Sequence, residues 1–591
     1  IEPETQRKVP GILTGSQFFM KLQHTAEGKG QGRGTGGYTA EGSPAKGGGD
    51  GSKRIGLLTT NALLSHGATQ VLRDASQIRG QRNEDFWLSF MQGNNPPEPD
   101  IPLVYKKFVS NLKASGINVV ADGSTSHIMA LTDKDVDEMT AGRELQNAET
   151  VNFDKNLRPV AGGLFDPALT GGHNGNRWSF IKLAEPMPNP VMEEPIRRML
   201  GLTQNQFDGI IAGKTELPRF GGTGPGAIAK ALSGMNVDRE LEIARAEVAG
   251  SKKGARDAAI RRLGYLKSAQ RLNIHPGDWM LSKAPVLPPI FRPISEMGDS
   301  KLPLVSDPNY LYRELMEANN NLKTMSKEVD DVGEERSAVY NAFKAVTGLA
   351  DPLHPKLQEK QVKGILQHVF SSSPKLGMMQ RRLLSTTVDT VGRGVITPDP
   401  DLDMDSVGIP ESKAWDVYKN FVVRRLKRRG LSVLEAGRHV DSRSPTARQE
   451  LLAEMADRPV FVDRAPVLHR FGVMAFWPRL TKDDTVHVSP LVVKGFGADF
   501  DGDTVNYHVP VSDGAKQEAM ERMLPSRNLL SPTDFKTPMH APGQDFVAGL
   551  YAATAKSKRK QHARRFMTKN DAIRAFLRGD ASVDTEVEVD V

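Results

Sequence analysis

Residues 497–510 read GADFDGDTVNYHVP and place aspartates at 499, 501 and 503. Carboxylates at every second position repel one another unless a cation sits between them. An EF-hand loop counted from Asp499 needs Gly at its sixth position and Glu at its twelfth. Those positions hold Thr504 and Pro510, which excludes that loop. An exposed acidic turn is the plainer alternative. Against it, Ala498 and Phe500 alternate with the carboxylates, VVKGF precedes them and VNYHV follows. The expectation is a loop clamped between buried strands, where carboxylates without a counter-ion would be costly. Magnesium suits such a site, because it takes carboxylate oxygens and keeps places for water and phosphate oxygens. Gly502 gives the backbone the freedom to turn the side chains toward one point. Metal sites of this kind serve phosphoryl or nucleotidyl transfer.

Composition narrows the context. The 591 residues suffice for several domains. There is no cysteine, so disulfides, thiolate zinc sites and a cysteine nucleophile are excluded, and no zinc is expected. No apolar run approaches the ~18–20 residues needed to span a bilayer, and no signal-peptide pattern opens the chain. A cytoplasmic setting without a membrane partner is expected. The net charge of +7 leans toward a polyanionic partner.

Along the chain, residues 28–51 contain eleven glycines with Lys29 and Arg33 among them. They read as a flexible loop or as backbone that approaches phosphates, without the strand-then-helix frame of a dinucleotide site. Helices are expected over 54–75, 101–118 and 191–270, and over 307–346 with a break near Gly333. PVLPPIFRP at 285–293 reads as stiff and extended. From about 384 to 510, β-branched runs such as TVDTVGRGVIT and DTVHVSPLVV predict a β-rich domain carrying the aspartates on a loop between strands. Basic clusters at Lys419–Arg429 and Lys556–Arg565 read first as solvated helix faces.

Together the motifs resemble the large subunits of multisubunit DNA-directed RNA polymerases. GADFDGD is similar to the N-A-D-F-D-G-D loop of β′. RPVFVDRAPVLHRFGVMAFWP (458–478), KLGMMQRRLLSTTVDTVGRGVIT (375–397), GIPESKAWDVYKNFV (408–422), NLLSP (528–532) and PGQDFVAGLY (542–551) resemble its neighbours in order. WMLSKAPVLPPIFRP (279–293), SDPNYLYRELMEANNNLK (306–323) and ETVNFDKNLRPVAGGLFDP (149–167) resemble the β′ amino-terminal and clamp segments. FMKLQHTAEGKGQGRGTGGYT (19–39), RIGLLTTNALLSHGA (54–68) and YKKFVSNLKASGINV (105–119) resemble instead the carboxy-terminal part of β.

The resemblance implies a multidomain α+β chain with five parts. Residues 1–120 would be a β C-terminal-like module, 121–148 a junction, and 149–345 a helical clamp-like region. Residues 346–515 would be a β′-type double-psi β-barrel with the aspartate loop, and 516–591 the start of a pore or secondary-channel region. It implies template-directed RNA synthesis from nucleoside triphosphates, with Asp499, Asp501 and Asp503 as catalytic Mg²⁺ ligands. Arg464 would lie near the incoming nucleotide's sugar. Lys21, His24, Lys29, Arg33 and Arg393 would contact template or hybrid. Arg381 and Arg382 would stand in for a Lys-Arg pair that the family carries where this chain has Thr386 and Thr387.

Two other departures are local. The family's Asn before the loop is Gly497, and the Asn before the sugar-contacting arginine is Asp463. The implied partners are polymerase subunits supplying the rest of β and the C-terminal part of β′, together with DNA template, RNA product, nucleotides and a sigma-like promoter factor. The split arrangement resembles the polymerases of large bacteriophages, which implies a bacterial host cytoplasm or packaging in a virion. The alternatives are a non-catalytic, nucleic-acid-binding scaffold relative and an RNA-templated polymerase.

Overall fold

The computed structural model describes residues 6, 8, 10–11, 15–20, 24–39, 41–123, 125–147, 159–250, 253–297, 302–371, 373, 375–543, 545–554, 564–581 and 585–590. The chain forms two compact units. Residues 1–102 join 385–591 in one, and residues 103–384 form the other.

The first unit is organised by strands β1 (Gln31–Arg33), β2 (Lys53–Ile55), β3 (Thr386–Val388), β4 (Val391–Pro398), β5 (Ser406–Pro410), β6 (Val460–Asp463), β7 (Val473–Thr481), β8 (Val486–Val488) and β9 (Thr504–His508). The pairing order is β1-β4-β8-β5-β7-β6-β9, and β9 also pairs with β4. Six strands therefore close on themselves, with parallel pairs β4–β8 and β5–β7 among antiparallel ones. This mixed six-stranded barrel matches the double-psi type that the resemblance implies. The runs SVGIP and VFVD are buried along their whole length because both of their faces are covered.

The glycine-rich segment is not a free loop. Its β1 extends the edge of β4 ahead of β8, with Gln31 opposite Arg393. A Cβ at Gly34 would lie 2.6 Å from the carbonyl oxygen of Asp416, so the glycine permits a close backbone approach. Helix α1 (Leu57–His66) buries Ala62 and Leu63 against Phe461 and Val473 of the barrel. Phe86, Trp87 and Phe90 enter the same core as Phe421, and the Trp87 and Phe421 rings meet edge-on at 6.5 Å.

Three helices interrupt the expected β-rich stretch: α2 (Glu411–Arg428), α3 (Val433–Asp441) and α4 (Pro445–Asp457). A capping box of Ser432 and Glu435 starts α3, and Pro445 occupies the first turn of α4. The first basic cluster lies on α2 and the turn after it. There Arg425 pairs with Glu450 and Glu454, Arg429 with Glu450, and Lys419 with Asp441. Of the second cluster, Lys556, Lys558, Arg559 and Lys560 lie outside the described residues.

The second unit packs helices around a three-stranded sheet of Glu144–Leu145, Ser179–Pro188 and Met280–Val286. Helices Val237–Gly250 and Lys253–Leu272 are neighbours, as are Asp307–Met325 and Gly333–Thr347, with the expected break between the last two. PVLPPIFRP is not wholly extended: its strand ends at Val286, and Pro289–Phe291 make a 3₁₀ turn. The buried Arg292 fixes that turn by donating to the carbonyls of Leu287 and Leu164 and to Asn309 Oδ1. No described helix is long and apolar enough to cross a membrane.

Candidate metal centre and its cationic rim

The aspartate loop joins the helical turn Val493–Phe496 to β9. Ala498 is buried and Phe500 packs against the barrel core, which anchors the loop by its apolar positions. Asp499 and Asp501 are exposed and Asp503 is half-buried. The expectation of three buried carboxylates is therefore corrected, because the alternation sends Ala498 inward and the neighbouring carboxylates out. Their convergence does not depend on burial. One oxygen from each of the three carboxylates lies within 4.8 Å of the others. Gly502 makes this possible with φ of +116°.

The electrostatics follow from that crowding. A hydrogen bond with Asp499, repulsion from it and repulsion from Asp503 all push the Asp501 carboxyl above its ordinary value. Burial would raise Asp503 too, but the Arg464 guanidinium and the Asp499 amide hold it below the usual range. Arg464 Nε sits 2.8 Å from Asp503 Oδ2, and the Asp499 N–H donates to that same oxygen at 3.1 Å. The donor set is oxygen only, and the upward push on the Asp501 carboxyl by its neighbours marks uncompensated negative charge. These residues fit a hard divalent cation such as Mg²⁺.

Cations rim the loop. Lys29 Nζ donates to the Gly502 carbonyl at 3.2 Å. Arg393, exposed on β4, donates to Thr504 Oγ1 at 3.0 and 2.8 Å. Lys53 was not foreseen; nothing in GDGSKRI marks it. Burial and the nearby Arg393 lower its pKa, so the two cations stand close enough to repel.

The other sequence candidates separate. His24 is exposed and lies just ahead of the Ala26–Lys29 turn. Lys21 lies outside the described residues. Arg381 and Arg382 are exposed on the turn Met379–Leu383, in the unit formed by 103–384. Arg33 is only 5% exposed. Its Nε donates to Asp389 Oδ1 at 2.7 Å, and its other nitrogens reach the carbonyls of Asp50, Gly36 and Gly37. Its surroundings offer an internal ion pair in place of the nucleic-acid contact expected of it.

That ion pair opens a buried network that sequence reasoning missed. Tyr38 donates to Asp389 Oδ2, the Asp389 amide donates to the Arg79 carbonyl, Arg79 Nη1 donates to the Asp389 carbonyl, and Arg79 Nε donates to Asp74 Oδ2 at 2.7 Å. Asp74 Oδ1 then accepts the amides of Val511 and Ser512 beyond β9. Burial pushes the Asp389 carboxyl up to about 6, against the opposing pull of Arg33.

Comparison with known proteins agrees with the barrel fold. Residues 452–524, which include β6, β7, β8, the aspartate loop and β9, match the family described as RNA polymerase Rpb1, domain 2. The chain is 31% identical over 378 residues to the DNA-directed RNA polymerase subunit beta' of a Nocardioides species. It is 32% identical over 387 residues to the subunit of the same name from Bacillus mycoides. The chain is similar to the β′ large subunits of multisubunit RNA polymerases. These alignments cover 62% and 63% of the β′-like chain but only 29% and 32% of the two relatives. It thus spans about a third of the length of the subunits it matches.

Proposed function

We propose that the β′-like chain is a subunit of a split DNA-dependent RNA polymerase and carries its catalytic Mg²⁺ aspartates. The observation that supports this most is the convergence of Asp499, Asp501 and Asp503 on a loop of a double-psi barrel. Asp499, Asp501 and Asp503 would hold the ion. Bound there, Mg²⁺ supplies Lewis-acid activation of the RNA 3′ hydroxyl and charge neutralisation on the triphosphate. The residues around it bind and orient. Arg464, paired with Asp503, presents its guanidinium beside the loop, where a ribose hydroxyl can accept from it. Lys29 and Arg393 offer phosphate-backbone contacts that carry no sequence preference, and Lys53 adds charge on the same rim. His24, Arg381, Arg382 and Lys21 remain proposed contacts of the same kind. The proposed reaction joins the RNA 3′ oxygen to the α-phosphate and releases pyrophosphate, with catalysis mainly by positioning and electrostatics.

The proposed assembly contains further chains for the rest of β and of β′, with residues 1–120 as a fused β C-terminal-like module and 149–345 as clamp. A sigma-like factor, a bacteriophage origin and a host-cytoplasm or virion setting belong to the same reading.

The test is Mg²⁺-dependent extension of an RNA primer on a DNA template by the natural complex, beside the same complex with Asp501→Ala. Extension lost on substitution, with assembly intact, supports the reading. Equal extension by both complexes moves catalysis elsewhere. Absence of extension in both makes the chain a scaffold, and extension only on an RNA template makes it an RNA-templated enzyme.

A further inference from the structure

Arg464 is the only residue of its strand end that reaches the aspartate loop through an ion pair among the described residues, and what holds it there lies one residue earlier. Asp463 closes β6 and is 2% exposed. Its Oδ1 accepts from His508 Nε2 at 2.9 Å and lies 3.3 Å from Asn506 Nδ2. Both partners belong to β9, whose register sets Asp463 opposite Asn506 and Phe461 opposite His508. The His508 ring is pinned further, since Phe461 stacks on it at 4.7 Å with planes 8° apart. Behind Phe461 lies the Arg79 guanidinium, 5.2 Å from the ring centre.

Successive side chains of an extended strand point to opposite sides. Asp463 therefore lies on the face of β6 that Phe461 presents to helix α1, and Arg464, just past the end of the strand, reaches Asp503, which directly precedes β9. One strand pair is thus tied twice, by Asp463 at the last residue of β6 and by Arg464 just beyond it. The tie through Asp463 uses a buried carboxylate whose loss would leave His508 and Asn506 without their acceptor.

We propose that Asp463, held by His508 and Asn506, is a positioning residue that sets where the Arg464 guanidinium meets the aspartate loop, and so governs ribonucleotide binding. This rests on the polymerase reading above. Asparagine at 463 would keep an acceptor for both partners, so the geometry asks for an acceptor rather than a charge.

The experiment uses the natural complex with Asp463→Ala, Asp463→Asn, Asn506→Ala, Arg464→Ala and the Asp463→Ala/Arg464→Ala double variant. Three quantities are measured: KM and kcat for ribo- and deoxyribonucleotides, the Kd of a ribonucleotide by competition with a fluorescent analogue, and the melting profile. Asp463→Ala should raise KM and Kd about tenfold, with a smaller change in kcat, and should narrow the ribo/deoxyribo preference. Asn506→Ala should move the same values by about two- to threefold, and Asp463→Asn should recover most of the loss. In the double variant, the alanine at 463 should add little to the loss from Arg464→Ala, because both act through one guanidinium. Should Asp463→Ala fail to assemble, Asn506→Ala and Asp463→Asn carry the decision by the same readouts. Additive losses, or a fall in kcat with KM and Kd unmoved, overturn the positioning role while leaving the polymerase reading intact. Absence of any extension by the natural complex overturns both.

Discussion

Two clusters in one unit use the same residue types to opposite ends. In the first, Asp389, Arg33, Arg79 and Asp74 are buried, and each carboxylate oxygen meets a donor from its own chain. In the second, Asp499 and Asp501 face water and each other, with Arg464 and Lys29 as the nearby cationic groups. Aspartate count does not distinguish structure from chemistry; unmet charge does. The buried cluster meets its carboxylate oxygens from within the chain, whereas the exposed one is short of positive charge.

Exchanging the two roles is the sharpest way to break this comparison. Asp501→Ala should abolish extension, by at least about a thousandfold, while the melting midpoint stays unchanged because the side chain is exposed. Asp389→Ala or Arg33→Ala should do the reverse first. Each leaves an unpaired charge in the interior and should cost about 3–5 kcal/mol, read by denaturant titration. A stable Asp389→Ala protein, or an unstable Asp501→Ala one, would mean that the clusters have been assigned the wrong way round.

Acid should act on the buried side next. Burial lowers the pKa values of His66 and His508, against the pull of their hydrogen-bond partners. Below about pH 6.5 the unfolded chain binds protons that the folded one refuses, so stability is lost as pH falls. Asp389 opposes this trend, since its raised value favours the folded state as pH drops through about 6. The net expectation is a falling melting midpoint between pH 7 and 5. A flat profile that stays flat in Asp389→Asn, where the opposing carboxyl is gone, would show that these histidines are not held neutral.

The exposed side should respond to salt. Arg381→Ala with Arg382→Ala should weaken nucleic-acid binding and flatten the plot of log K against log[salt], by roughly one unit of slope for each contact removed. The smallest change concerns Gly497, whose φ of +56° is one that asparagine tolerates and whose Cβ would meet nothing within 4 Å. Gly497→Asn should leave folding intact and raise the preference for ribonucleotides severalfold, measured by competition with deoxyribonucleotides.

Most of the exposed site was legible in the sequence because spacing alone brings it together. The aspartates converge within one loop, and RPVFVDRAP identifies Arg464 through its neighbours. What stayed hidden depends on pairing between distant segments. Nothing near Arg33 says that Asp389 lies opposite it, since that meeting requires β1 to join the edge of β4. Asp463 was visible as a departure, but its partners on β9 follow only from strand register. The helices over 411–457 were obscured by the β-branched runs on either side, although the capping box at Ser432 was there to read. The prolines at 285–293 suggested stiffness correctly and missed the 3₁₀ turn, which the buried Arg292 fixes.

The strand pair β1–β4 has a consequence in time. It closes one unit across an excursion from residue 103 to residue 384, and the segment before that excursion cannot find its partner until the segment after it exists. At ribosomal rates of about 5–20 residues per second, the wait is roughly 15–60 s. During that interval Leu63, Phe86, Trp87 and Phe90, all destined for the barrel's cores, have nothing from the barrel to cover them. If residues 1–120 descend from a separate subunit, fusion has turned an encounter between two molecules into the closing of one long loop. Its entropy grows only with the logarithm of loop length, and cellular concentration no longer matters.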